Sequence, residues 1–353
     1  MTSLQTYFEF INRNSNNIQN IAVSRFLSHF YAKKGAFAMS RTKDLLDIID
    51  TSHTKEKRAE YQVSTAFHRA GILPDDTENT KHEGMDANRQ NGATTSHDVH
   101  QGTSIGWSTY HAYKSIGTAL GAYCAEEYGV KSIYDIDPRM MAGFLDFAIG
   151  AGVGASTYDK YCSALEKVGW VINHNTGQDT DYHSTISDCR KSGMQEIAQP
   201  DQTARAYSDP HAIIDQLPSE KMQIVAELQL SCGLRVSDAC YIKDWDGASF
   251  TAHSKNGQYM QIVPSADLAS RISDVIRQEG KFSVSPHAYD YQLEKACHAS
   301  GQEWHGTHGL RHNYAIDRME EYTSKGMSYE KALGKVSEDM GHHRSEITKV
   351  YLR

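Results

Sequence analysis

Six side chains in the last third of the chain are of types that together could act on a phosphate ester. They occur in GLRVSD, beside an Asn-Gly pair, in HGLRH, in MGHH and in ITKVYL. In chain order they are Arg235, Lys255, His308, Arg311, His342 and Tyr351. Guanidinium groups present planar, permanently charged pairs of donors to phosphate oxygens. We therefore interpret the two arginines as a clamp for a phosphate that is being transferred.

Tyr351 is the candidate nucleophile of this set. A free tyrosine has a pKa near 10, so it needs cationic surroundings and a proton acceptor before it can attack. His308 stands three residues before Arg311, which on a helix places both on one face, and His308 is the candidate general base. Asp238, three residues after Arg235, is predicted to accept a hydrogen bond that holds the arginine or a histidine in position.

The order of these motifs resembles the catalytic set of the tyrosine site-specific recombinases, which include the phage and mobile-element integrases. The shared features are R-x-S-D, a lysine in a hairpin, H-x-x-R, and M-G-H followed nine residues later by tyrosine. The resemblance covers roughly residues 205–353, and the helical pattern over 104–180 resembles that family's core-binding domain. It implies DNA cleavage and rejoining through a covalent 3'-phosphotyrosyl intermediate, with no metal or nucleotide cofactor. It further implies that Lys255 protonates the departing 5' oxygen and that His342 donates a hydrogen bond to the phosphate.

The resemblance also implies partners. These are double-stranded DNA, three further copies of the chain in a tetramer on two synapsed sites, and accessory proteins that bend DNA or set directionality. Many members continue with another helix after the tyrosine, whereas this sequence ends two residues after Tyr351. We therefore expect a monomer in the absence of DNA.

Other interpretations remain open at this point. Type IB topoisomerases resemble the same residues, and a DNA-binding protein could retain the fold without the activity. Each residue alone could be a solvated charge or a packed aromatic, and only the joint order favours catalysis. A metal site is a further alternative, built from His305, His308, His312, His342 and His343. It is disfavoured because Gly309 stands where a zinc-protease helix has its glutamate, and Arg311 would repel a cation.

The surrounding pattern predicts a mainly α fold with one small antiparallel β-sheet (α+β). Apolar residues recur at helical spacing in most segments. The strand-like runs 250–255 and 258–263 flank Asn256-Gly257, which predicts a hairpin. A helix that opens at Pro218 should end near Gly233.

Composition shifts divide the chain into five predicted segments. They are a helical module that could bind DNA as an arm (1–74), a flexible linker (75–103), a helical core-binding (SAM-like) domain (104–185), an interdomain linker (186–205) and a catalytic domain (206–353). The first linker is predicted because it has almost no large apolar residue.

The overall charge argues against a DNA-binding role, but it is unevenly distributed. The net charge is −8, whereas residues 1–74 carry ten Lys and Arg against six Asp and Glu. A basic groove can exist on an acidic protein if the acids face elsewhere. The six scattered cysteines are expected to be reduced. The sequence shows no secretory signal and no membrane span, so we expect a cytoplasmic protein that associates with the nucleoid when it binds DNA.

Overall fold

The computed structural model describes Leu45, Ile49 and residues 53–74, 81–197, 204–254, 258–341 and 345–352. The chain divides between residues 200 and 201 into two compact units. Helices dominate both units, and the strands form two small antiparallel pairs. The predicted fold class is confirmed. Among the described helices, none is both long and apolar enough to cross a lipid bilayer.

The first unit is helical throughout its described part. Its α-helices are α1 (His53–Arg69), α2 (Lys81–Gln90), α3 (Ser96–His100), α4 (Trp107–Glu127), α5 (Pro138–Gly150), α6 (Ala155–Thr176) and α7 (Tyr182–Glu196), with a 3-10 turn at Ile133–Asp135. The predicted apolar stripe of α6 is buried, including Tyr158, Tyr161 and Leu165. One hydrophobic core joins α1, α4, α5, α6 and α7.

The N-terminal module differs from the prediction of a separate domain. Val63 and Phe67 of α1 are fully buried in the same core as Leu120 of α4 and Val168 of α6. Gly117 of α4 lets α1 and α4 approach closely, because a Cβ there would lie 3.0 Å from Val63 of α1. Residues 53–74 are therefore part of the first unit, while residues 1–44 lie outside the described part.

The stretch predicted as a flexible linker is helical where it is described. Residues 81–103 contain α2 and α3, and Thr95 caps α3 by accepting a hydrogen bond from the backbone N–H of Asp98. These helices bury little apolar surface: α2 buries no residue and α3 buries only Val99. Polar composition concealed them because capping and local hydrogen bonds, rather than an apolar face, define them.

The boundary predicted near residue 185 falls inside α7. Tyr182 donates a hydrogen bond of 2.7 Å from its hydroxyl to the carbonyl of Ile136. Ile186 is fully buried, and Gly193 sits so close to the ring of Tyr158 that no larger residue fits there. The helix therefore belongs to the first unit up to Glu196.

The second unit begins its regular structure at Pro210. Its elements are α8 (Pro210–Asp215), α9 (Glu220–Cys232), α10 (Val236–Ala239), β1 (Tyr241–Ile242), β2 (Phe250–Ser254), β3 (Gln258–Ile262), α11 (Ala266–Glu279), β4 (Phe282–Ser283), α12 (Pro286–Ala299), α13 (His308–Ser324), α14 (Tyr329–Asp339) and α15 (Ser345–Tyr351). The main core lies between α8, α9, α11, α12 and the strands. A smaller cluster joins α13 and α14.

The hairpin and the helix before it form as predicted. β2 pairs with β3 in antiparallel register from Phe250 opposite Ile262 to Ser254 opposite Gln258. Ser219 caps the start of α9, and Gly233 ends the helix with a φ of 63°. A side chain at Gly233 would also overlap the ring of Tyr314, so both backbone and packing require glycine there.

Candidate active site

The start of α13 is fixed by Tyr207, which lies far away in the sequence. The Tyr207 hydroxyl donates a 2.9 Å hydrogen bond to the carbonyl of Gly306, and its backbone exchanges two hydrogen bonds with the Asn313 side chain. Gly309 lies against the Tyr207 ring, and a methyl group in its place would overlap the ring. These contacts set the position of the helical turn that contains His308 and Arg311.

Among the predicted site residues that the structure describes, Arg311 is the most deeply buried. Only 2% of its surface is exposed. Its Nη2 donates a 2.6 Å hydrogen bond to the carbonyl of Met340 at the end of α14, which fixes the guanidinium plane. Burial lowers the pKa of Arg311 below its usual value, and nearby Tyr351 acts in the opposite direction. Because the ordinary pKa of arginine is so high, the group remains a cation at neutral pH.

Tyr351 lies next to this guanidinium. The Cζ atom of Arg311 is 5.7 Å from the centre of the Tyr351 ring, and the two side chains also share a hydrogen bond. Tyr351 is the last residue of α15, which packs against α13 and α14, and its ring is half-buried. The exposed imidazole of His308 has its centre 6.4 Å from that of the Tyr351 ring. A histidine, an arginine and a tyrosine thus meet where α13 and α15 pack together.

His312 is a site residue that the sequence analysis considered only as a metal ligand. Its ring centre is 4.6 Å from that of Tyr351, and its Nδ1 is 3.1 Å from the Tyr351 backbone oxygen. Only 3% of His312 is exposed, and burial lowers its pKa to about 4. The ring is therefore neutral at pH 7, and Nδ1–H can donate to the carbonyl. His312 stands one helical turn after His308, and this spacing is the signal that could have assigned it to the same face.

Arg235 and Asp238 approach the same place from α10. Arg235 is the N-cap residue of that short helix, immediately after the Gly233-Leu234 turn, and it is partly buried. Both side chains act electrostatically on Arg311: Arg235 lowers its pKa and Asp238 raises it. Arg235, Asp238 and Tyr351 therefore each lie close enough to act electrostatically on Arg311, and His308 lies beside Tyr351.

Two predicted residues lie outside the described part of the chain. Lys255 follows the end of β2, directly before the Asn-Gly pair, and His342 follows Gly341. Gly341 is described: it is buried, has a φ of 64°, and its N–H donates a 2.8 Å hydrogen bond to the carbonyl of Glu338. The roles of Lys255 and His342 stay predictions.

The histidines of this unit do not form a metal cluster within the described residues. His305 stacks on Tyr207 with ring centres 5.4 Å apart, while His312 points its Nδ1 to a carbonyl. No three ligand atoms of the second unit's described His, Cys, Asp and Glu residues come together in a metal-sized group. This geometry does not support the alternative of a histidine metal centre among the described residues. His342 and His343 lie outside them.

The chain is similar to solved structures, but comparisons of its sequence found no match. No protein-family model matches the chain, and no curated protein matches it. The structure of the XerH site-specific recombinase bound to its difH substrate aligns with a TM-score of 0.51 at 16% identity, over 90% of this chain and 94% of that chain.

Two further solved structures align with lower TM-scores. The Tn1549 transposon integrase in complex with transposon right-end DNA aligns at a TM-score of 0.44 and 12% identity, over 76% of this chain and 92% of that one. An integrase from mycobacterium phage Brujita aligns at 0.31 and 16%, over 70% and 88%. The fold assignment rests on the XerH alignment. The chain has the tyrosine recombinase fold.

Proposed function

We propose that this protein is a site-specific DNA recombinase that integrates or excises a mobile element. In the proposed reaction, Tyr351 cuts one DNA strand and keeps the phosphate as a 3'-phosphotyrosyl ester. The single observation that supports this most strongly is the buried guanidinium of Arg311, fixed by the Met340 carbonyl and adjacent to Tyr351. A buried cation beside a tyrosine at a helix end is difficult to explain by stability alone, because burial of a charge is costly.

In the proposed step one bond to phosphorus forms as another breaks, and the proton that tyrosine loses has an acceptor. The Tyr351 oxygen forms a bond to phosphorus while the bond from phosphorus to the bridging 5' oxygen breaks. His308 accepts the tyrosine proton, and Lys255 gives a proton to the 5' oxygen. Arg235 and Arg311 stabilise the charge on the non-bridging oxygens, and His342 donates a further hydrogen bond. The phosphotyrosyl bond conserves the energy of the phosphodiester, so no nucleotide is consumed.

Asp238 and His312 have positioning roles in this proposal. Asp238 opposes the repulsion between the two arginines, since it raises the pKa of Arg311 while Arg235 lowers it. His312 holds the backbone of Tyr351 through Nδ1. Both residues would act through others rather than on the DNA itself.

The proposed partner is duplex DNA, and the cleavage test follows from that. Short duplexes tiled across both flanks of the coding region should include the attachment site of a mobile element. Incubation of the full chain with each duplex should yield one or two that form a complex resistant to boiling in detergent. If the protein binds such duplexes but no resistant complex forms on any of them, the proposed chemistry fails and a binding role remains.

Chelation should leave strand cleavage unchanged. The proposed chemistry uses side chains only, whereas metal-dependent hydrolysis requires a Lewis acid or a metal-bound water. Cleavage of a nicked duplex should therefore proceed within about twofold of the same rate with excess EDTA, at a temperature at which the chelated protein is folded. Loss of cleavage that added zinc restores, in chelated protein that is still folded and still binds the duplex, would show that the reaction centre contains a metal.

The assembly state should depend on DNA. Exchange between two duplexes breaks four strands, and each chain offers one Tyr351, so recombination needs four copies. We expect these copies to assemble on DNA and the free protein to be monomeric. Sedimentation at micromolar concentration should give a single species near the 39.5 kDa of one chain. A stable tetramer without DNA would contradict this expectation.

A further inference from the structure

Three potential metal ligands converge in the first unit, in a part of the protein that the proposed reaction does not use. They are His97 on α3, Glu166 on α6 and His183 on α7, and their nearest ligand atoms all lie within 4.8 Å of one another. No other group of three such residues occurs in the described ranges of the chain. This site has no signal in the sequence, because the three positions are far apart and follow no metal-binding spacing.

The distances are close to those of a metal centre. His183 Nδ1 is 3.6 Å from one carboxylate oxygen of Glu166, and His97 Nδ1 is 4.0 Å from the other. The imidazole rings are stacked with centres 3.7 Å apart and planes at 27°. With zinc bonds of 2.0 to 2.1 Å, ligand atoms in a tetrahedron are about 3.4 Å apart. To reach that geometry, the two stacked rings must turn apart so that both Nδ1 lone pairs point at one ion.

The contacts around these ligands are those that a metal site needs. The second ring nitrogen of His97, Nε2, contacts the side-chain amide of Gln101. With the amide oxygen turned toward it, Nε2–H donates and the lone pair of Nδ1 is left for a metal. Arg190 holds one oxygen of Glu166 at 3.2 Å and is itself paired with Asp159 at 3.2 Å. These outer contacts orient the ligands while Asp159 offsets the charge of Arg190.

His183 supplies an independent observation. Its Nδ1 atom is buried and has no hydrogen-bond partner among the described residues, although it faces the carboxylate of Glu166. A buried polar nitrogen without a hydrogen bond costs free energy. A bound cation between the two groups would satisfy both the nitrogen and the carboxylate.

The ligands line a cavity of about 420 Å³, which Ser96 and Tyr113 also line together with three cationic side chains, Lys81, Lys167 and Arg190. The cavity gives an ion a path to the ligands and leaves room for a water molecule as a fourth ligand.

We propose that His97, Glu166 and His183 bind one divalent transition-metal ion, with zinc as the best fit, and that a water molecule completes its coordination. Two imidazoles and one carboxylate suit zinc, and calcium or magnesium would require more oxygen ligands. The ion would join α3 to α6 and α7. This proposal does not depend on the recombinase function.

The site would supply what the local packing lacks. α2 buries no residue and α3 buries only Val99, so apolar contacts hold these helices weakly. The known polar anchor is the hydrogen bond of 3.0 Å from Lys167 Nζ to the carbonyl of His100. Metal binding to the folded state alone raises stability by mass action.

The test compares metal uptake by the full-length protein and its variants. Each protein is stripped with chelator, dialysed and titrated with zinc by calorimetry and with cobalt by visible absorption. The wild-type chain should bind one equivalent more than the double variant His97→Ala, His183→Ala. Glu166→Gln, which keeps the shape and the contact with Arg190, should weaken zinc binding at this site by tenfold or more. His298→Ala is the matched control, since His298 faces Glu294 at 4.0 Å on an exposed surface of the other unit.

Stability provides the second readout. Zinc at about a hundred times its dissociation constant should raise the unfolding temperature of the wild-type chain by roughly 5–10 °C, and that of Glu166→Gln much less. Equal zinc stoichiometry and equal affinity in the wild-type chain and in Glu166→Gln would overturn the proposal. The proposal would also be overturned if His298→Ala lost the zinc uptake while the double variant His97→Ala, His183→Ala kept it. Neither result would bear on DNA cleavage by Tyr351.

Discussion

Replacement of Tyr351 by phenylalanine should abolish the covalent complex with DNA while DNA binding persists. The change removes only the attacking oxygen and keeps the ring that packs against His312 and Arg311. Without a nucleophile no phosphotyrosyl bond can form, so cleavage should fall below detection, with DNA affinity within about threefold of the wild type. The measurement pairs an electrophoretic binding assay with trapping on a nicked duplex whose short fragment diffuses away.

Tyr322→Phe is the matched control for this variant. Tyr322 is another tyrosine of the same unit, and its hydroxyl donates a 2.6 Å hydrogen bond to Asp339. Its removal should cost some stability and leave the covalent complex in place. If Tyr351→Phe still forms the complex and Tyr322→Phe does not, the nucleophile has been assigned to the wrong residue.

Loss of the Arg311 guanidinium should slow cleavage on the order of a hundredfold or more, the usual cost of removing a group that stabilises transition-state charge. Arg311→Ala tests the full loss. Arg311→Lys keeps a cation that can still approach the carbonyl of Met340, but it loses the planar pair of donors. Both variants should bind DNA, and single-turnover cleavage of the nicked duplex should separate them from the wild type.

Arg318→Lys serves as the control for Arg311→Lys. Arg318 lies two turns further along α13 and pairs with Glu321 and Asp339, remote from the Tyr351 ring. We expect cleavage within about threefold of the wild type. Thermal unfolding of each variant shows whether the loss of a buried hydrogen bond has destabilised the fold. If Arg311→Lys is folded, binds DNA and cleaves at the wild-type rate, the clamp hypothesis is wrong.

Local signals in the sequence predicted the second unit well. Asn256-Gly257 between two strand-like runs indicated the pairing of β2 with β3, and Gly233 indicated the end of α9. In both cases the backbone conformation depends on a few neighbouring residues, so the pattern carries the information. The order of the motifs grouped Arg235, Arg311 and Tyr351; in the structure Arg311 lies 5.7 Å from the centre of the Tyr351 ring, and Arg235 acts electrostatically on Arg311. Their catalytic roles stay predictions.

The first unit was harder to predict because its organisation depends on contacts distant in sequence. Periodicity identified the buried face of α6, but it could not show that α1 shares its core. The residues of α2 and α3 are polar, so their sequence predicts a linker and not helices. The boundary near 185 was misplaced because the burial of Tyr182 and Ile186 is set by partners on other helices.

The candidate active site also combines residues that local motifs reveal with contacts that are distant in sequence. Motifs identified the groups that could react, but not those that hold them. The contact between Tyr207 and Gly309, the carbonyl of Met340 that accepts from Arg311, and the hydrogen bond of His312 to the Tyr351 backbone are all long-range. A backbone carbonyl carries no sequence signature, and a tyrosine near a domain start has many ordinary uses.

Mapping the residue that becomes joined to DNA would identify the nucleophile. After trapping on the nicked duplex and digestion by nuclease and trypsin, mass spectrometry should find the nucleotide on the peptide that follows Lys349, Val350 to Arg353, linked through a 3' phosphate to Tyr351. The released strand should carry a free 5' hydroxyl. A modified peptide that contains Tyr314 or Tyr322 instead, or a 5'-phosphate linkage, would contradict the proposed 3'-phosphotyrosyl link to Tyr351.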